Sequence, residues 1–189
     1  MADLFAVLGE SPRPWLDPEE LKARYHQLAA QHHPDVSGAV ADFAEINRAY
    51  AVLSEPAARL RHLLELEAPG ALARAQPVPA EIAAFFTPVA ETRQVVDAFL
   101  KKSAAAVSPL ARALLATEQC EVQERLEEML GRLQEEQEVL LARVREVDAL
   151  WQADRAAALG LVPALWQGLS YTARWQTALR EPLHRLAGF

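Results

Sequence analysis

Cysteine is nearly missing: Cys120 is the only one among 189 residues. No intrachain disulfide can form and no thiolate metal cluster is available, which suits a reducing compartment. Strand-like alternation and β-branched runs are scarce, so a sheet is not expected. No apolar run reaches the roughly eighteen residues that a membrane-spanning helix needs. The opening stretch "MADLFAVLGESPRP" has neither the charged start nor the long apolar segment of a signal peptide. A cytoplasmic protein without a membrane partner is therefore expected. Positive charge is also in deficit, with a net charge of −7. Such a surface does not draw phosphate backbones, so no nucleic-acid partner is expected. There is no glycine-rich phosphate loop, no nucleophile elbow and no Cys–His pair. His26, His32 and His33 lack a spacing that converges three ligands, and no cysteine or carboxylate supports them. No enzyme, no metal and no cofactor are expected.

The residues that remain are enough for a core, since 51% are apolar. They fall into helical periods. Residues 3–8 form a short apolar helix ending at Gly9, and "SPRPW" is a loop. Asp17-Pro18-Glu19-Glu20 is a start signal: Asp17 caps, Pro18 fits the first helical position and Glu20 completes a capping box. That helix carries Leu21, Tyr25 and Leu28 on one stripe and stops before Pro34, which removes a donor and disfavours helical geometry at His33. A helix over 39–53 follows, with Phe43, Ile46, Tyr50 and Leu53 on one face. Ser54-Glu55-Pro56 opens another. "APGALARAQPVP", 68–79, is rich in turn residues and reads as a linker.

Three longer helical patterns fill the second half. The first covers 80–106, with Pro88 either kinking it or marking its start. Ser108-Pro109 opens the second. In it Leu126, Leu130, Leu133, Gln137, Leu140, Val144, Val147 and Trp151 keep a 4-3 spacing, the seam of a helix packed on another helix. The partner helix can lie in the same chain or in a second copy. Short connections favour the same chain and a monomer. Gly160 and Pro163 are expected to separate this helix from the last one, over 163–187.

His33-Pro34-Asp35 follows "YHQLAAQ" and precedes "FAEINRAYAVLSEP". This resembles the J-domain of DnaJ-type co-chaperones, over residues 1–66. The resemblance implies an antiparallel helical hairpin with short flanking helices. It implies that His33, Pro34 and Asp35 stimulate the ATPase of a DnaK-type chaperone, with Lys22 and Arg24 on the basic docking face. Asp35 can accept two hydrogen bonds from a partner arginine, a geometrically selective pair. Val36 stands where the family often has lysine, and His26 and Gln27 replace commonly basic positions.

No glycine/phenylalanine-rich linker or β-rich domain follows. "ARLRHLLELEAPG" and an all-helical second half follow instead, a layout that resembles the HscB co-chaperones of iron–sulfur cluster assembly. "FFTPVAETRQ", 85–94, looks like the start of that family's first C-terminal helix, and "LSYTARW", 169–175, like its last. The resemblance implies an HscA-type chaperone, an IscU-like scaffold as partner, and scaffold contact through Phe86, Glu91 and Tyr171. Trp166 and Trp175 read as core. The expected fold is all-α, with a J-domain at 1–67, a linker at 68–79 and a C-terminal three-helix bundle at 80–189. The alternative is a J-domain fused to a helical dimerisation or adaptor domain that serves another client.

Overall fold

The computed structural model describes residues 2–33, 40–73 and 77–186, and among these there are helices, turns and loops but no strand. Eight helices are present among the described residues: α1 Leu4–Val7, α2 Pro18–Gln31, α3 Val40–Ser54, α4 Pro56–Glu67, α5 Ala80–Ala83, α6 Phe86–Ala105, α7 Pro109–Ala153 and α8 Arg155–Leu186. Their starts follow local chemistry. The Asp3 carboxylate accepts from Phe5 N at 3.0 Å and Ala6 N at 3.3 Å, and α1 ends where Gly9 turns at φ +70°. Asp17 accepts from Glu19 N and Glu20 N with Pro18 at the first position of α2. Glu55 does the same for α4 ahead of Pro56.

Two expectations for the second half need adjusting. The 80–106 pattern breaks at 84–85 into α5 and α6. Pro88 then lies in the first turn of α6, where its missing N–H has no intrahelical partner to lose. The break before the last helix falls at Asp154, not at Gly160 and Pro163. Asp154 Oδ1 accepts from Ala157 N at 3.0 Å and so caps α8. Gly160 and Pro163 lie inside α8. An interior proline costs about 3 kcal/mol. Val162 and Leu165 beside it are buried, and each such side chain contributes roughly 1.5–3 kcal/mol. Burial therefore outweighs the local signal.

The chain divides into two compact units, one of Met1–Pro77 with Leu140–Leu169 and one of Val78–Val139 with Ser170–Phe189. The last third of α7, residues 140–153, and the first part of α8 thus belong with the N-terminal segment, a pairing that a linear cut at 68–79 does not contain. In the first unit, α2 and α3 form an antiparallel hairpin. The rings of Tyr25 and Tyr50 stack at 4.2 Å, and the Tyr25 hydroxyl donates to Asn47 Oδ1 at 2.8 Å. Leu4, Phe5, Leu8, Leu53, Leu60 and Leu64 are buried in this unit.

The second unit is a three-helix bundle of α6, the first part of α7 and the last part of α8. Val89, Val96, Phe99, Val122, Leu126, Leu133, Leu179 and Leu186 form its core. The 4-3 seam is covered within the chain: Leu126, Leu133, Leu140, Val144, Val147 and Trp151 are buried. Gln137 sits in it and accepts from Gln176 Nε2 at 2.9 Å. A satisfied polar pair of this kind favours one register over its neighbours.

Candidate functional site

Two exposed places carry the residues singled out from sequence. The first is the far end of the α2/α3 hairpin. His33 is exposed just past the end of α2 and packs edgewise on Phe43, with ring centroids 5.5 Å apart. His32 Nδ1 lies 3.6 Å from the Asp42 carboxylate. Pro34 and Asp35 lie outside the described residues. Lys22 and Arg24 are both exposed on α2. Two positions apart, they point about 200° away from each other around the helix and so do not share a face. Arg24 lies beside the α1 turn, where a Cβ on Gly9 would meet its guanidinium at 3.4 Å. Lys22 instead shares its row with His26, one turn on.

The second place is on the bundle. Phe86, 42% exposed, meets Tyr171 edge-on at 5.2 Å and Trp175 edge-on at 5.1 Å. Tyr171 and Trp175 lie 5.3 Å apart, and Phe85 reaches Trp175 at 6.3 Å. Two arginines flank the rings: the Arg132 guanidinium is 5.5 Å from Phe85, and that of Arg174 is 5.9 Å from Tyr171. Phe86 and Tyr171 are thus brought together as expected. Glu91 is not part of the group. Five residues after Phe86, it has turned about 140° around α6 and lies 3.8 Å from Arg125 of α7. Trp175, read from sequence as core, is half-buried and touches all three other rings. Its i, i+4 spacing from Tyr171 was the signal that places both on one face.

The DnaJ domain family matches residues 3–62. Chaperone protein DnaJ of Thermosynechococcus vestitus is 49% identical over 63 residues, which are 32% of this chain and 16% of that protein. Chaperone protein DnaJ of Nostoc punctiforme is 51% identical over 63 residues, with the same shares covered. Residues 3–62 are a DnaJ domain. The chain spans only 16% of the length of these relatives. Over the whole chain, the fold is that of chaperone HscB from Vibrio cholerae, with a TM-score of 0.58 and 16% identity over 98% of this chain and 99% of that one.

The DnaJ domain therefore comprises α1, α2, α3 and the first half of α4, with the His33 corner between its two long helices. Its α1–α2 loop, read from sequence only as "SPRPW", is held by the C-terminal part of α7. Arg13 Nε donates to Asp148 Oδ1 at 3.0 Å, and a second Arg13 nitrogen pairs with Asp148 Oδ2. The hydrogen bond to Asp148 raises the Arg13 pKa. Trp15 N also donates to Asp148, and Trp151 Nε1 donates to Pro12 O at 3.1 Å. Arg145 lies over the Trp15 ring at 4.3 Å. Beneath this loop Arg59 of the DnaJ domain is buried and donates to Pro14 O and Leu53 O. Burial lowers its pKa to about 10, against the opposing charges of Glu55 and Asp148. It stays cationic at neutral pH.

Among the described residues no group of three or more His, Cys, Asp or Glu side chains could hold a metal ion, and no helix is long and apolar enough to cross a membrane.

Proposed function

We propose that this protein is a co-chaperone. Its DnaJ domain stimulates ATP hydrolysis by a DnaK/HscA-type chaperone, and its helical bundle delivers an IscU-like scaffold to that chaperone for iron–sulfur cluster transfer. His33, Pro34 and Asp35 act on the chaperone, and Lys22 assists the docking from the row of α2 that it shares with His26, while Arg24 lies on another face. The single observation that carries the first half is the DnaJ-domain match over 3–62, which contains the whole His33-Pro34-Asp35 corner and both helices that frame it. An imidazole, a proline ring and a carboxylate in consecutive positions give a partner both polar and apolar groups to contact. A carboxylate such as Asp35 pairs most selectively with an arginine fork.

For the second half, the aromatic group of Phe86, Tyr171 and Trp175 supports a client-holding surface. Large aromatics ringed by polar groups are the usual composition of binding hot spots. Removing Phe86 and Tyr171 together is expected to weaken scaffold binding by about 2–4 kcal/mol, read by isothermal calorimetry. A folded double variant that binds like the parent removes the patch from the account. A parent that does not bind the scaffold removes the scaffold as client while leaving the chaperone half intact. The separation of Glu91 from the aromatic group favours a second reading, a J-domain adaptor whose bundle carries a different client.

A further inference from the structure

Four cations border the aromatic group and the face of α6 beyond it, in a chain whose net charge is −7. Arg132 comes from α7 and Arg174 from α8, each beside a ring of the group and each exposed. Along α6, Ala90 lies one turn beyond Phe86 and Arg93 about two turns beyond, on the same face. There a shallow groove of about 600 Å³ is lined by Ala90, Arg93, Gln94, Asp97, Ala98 and Lys101. Its floor includes two alanines, so an extended backbone can approach closely. Arg93, Lys101, Arg132 and Arg174 set four cations against Asp97, the carboxylate of the groove. Among the described residues no carboxylate is paired with Arg93, Arg132 or Arg174, whereas the other nearby arginine, Arg125, is turned to Glu91. Arg132 also borders a hollow between α6 and α7 that is lined by Glu91, Glu121, Glu124 and Glu128, so the cationic character is carried chiefly by Arg174, Arg93 and Lys101.

Given the client-holding role proposed above for this surface, we infer that it takes an acidic segment of the client, with an apolar anchor seated on Phe86, Tyr171 and Trp175. Asp and Glu side chains on either side of the anchor then meet Arg132 and Arg174, and the segment continues toward Arg93 and Lys101. Guanidinium–carboxylate pairs at the rim of an apolar contact set which partner is accepted and how fast it arrives. A basic segment meets four cations and is rejected. Trp175, central to the ring contacts, is a contact residue in this arrangement.

Fluorescence anisotropy on the full chain tests this with three labelled peptides that share a Leu-Phe centre flanked by Asp/Glu, by Ser or by Lys/Arg. The acidic peptide is expected to bind at least about tenfold more tightly than the serine peptide, and its affinity to fall as salt rises. The basic peptide is expected not to bind. Arg132→Glu with Arg174→Glu should reverse the order of the acidic and basic peptides. Both positions are exposed, so this variant folds. Equal affinity for all three peptides, no binding of the acidic one at about 1 mM, or an order unchanged by the charge reversal would each overturn the inference. The ATPase assay of the DnaJ domain and calorimetry with the intact scaffold are unaffected by any of these outcomes, so the two readings fail separately.

Discussion

His33 and Arg59 show two kinds of residue that local sequence treats differently. His33 stood out because a proline follows it at a helix end, and the structure packs it on the ring of Phe43 just past α2. Arg59 sits in an ordinary helical stretch, and nothing local marks it as buried. Its guanidinium is aimed at two backbone carbonyls that a fold supplies from 45 and 6 residues away. Arg59→Met should lower stability by about 2 kcal/mol, since two buried acceptors lose their donors. Arg59→Lys should recover little, because a single ammonium cannot span both carbonyls. Urea unfolding of the full chain measures this, and a methionine variant as stable as the parent would refute that role. Helical spacing alone separates Glu91 from the aromatic group: five residues on from Phe86, it lies off that face, whereas Trp175 shares the face of Tyr171 and packs against the bundle core, in keeping with its reading as core.

At the scale of elements, start signals were legible and interior breakers were not. Asp17 and Glu55 are satisfied by the backbone N–H groups two and three residues on, so no tertiary information is needed to read them. Gly160-Leu161-Val162-Pro163 carries the residues of a break, yet α8 runs through it because Val162 and Leu165 are buried. Its true start is at Asp154. Asp154→Ala should therefore cost about 1 kcal/mol through loss of the cap to Ala157 N, and Gly160→Ala should be neutral or stabilising. A Cβ at Gly160 meets nothing within 4 Å, and alanine is favoured over glycine in a helix by about 1 kcal/mol. Thermal melts of the two variants check both signs. A destabilised Gly160→Ala would mean that the glycine has a role beyond its place in α8.

Across the whole molecule, the all-helical class and the DnaJ domain were readable because both rest on short-range patterns. The membership of residues 140–169 was not. Its 4-3 seam runs without a break from Leu126 to Trp151, and the same stripe serves the core of one unit and then the other. Nothing in a continuous stripe marks that change. Asp148 and Trp151, which hold the α1–α2 loop, lie more than a hundred residues from their partners in sequence. A DnaJ fragment cut at residue 77 loses Leu140, Val144, Val147 and Trp151 from its unit. It should unfold at lower urea than the intact chain, by at least about 3 kcal/mol from the lost apolar burial. Equal stability of fragment and full chain would show that the second segment adds nothing to this unit. The central claim is co-chaperone action through the His33-Pro34-Asp35 corner, and single-turnover ATP hydrolysis by the cognate DnaK/HscA-type chaperone tests it most directly. The intact protein should accelerate hydrolysis, and His33→Gln and Asp35→Asn should each abolish the acceleration while circular dichroism stays unchanged: His33 is exposed past the end of α2, Asp35→Asn keeps the size of the side chain, and surface substitutions shift stability by only about half a kcal/mol. Full acceleration by either variant, or none by the intact protein, would contradict the account.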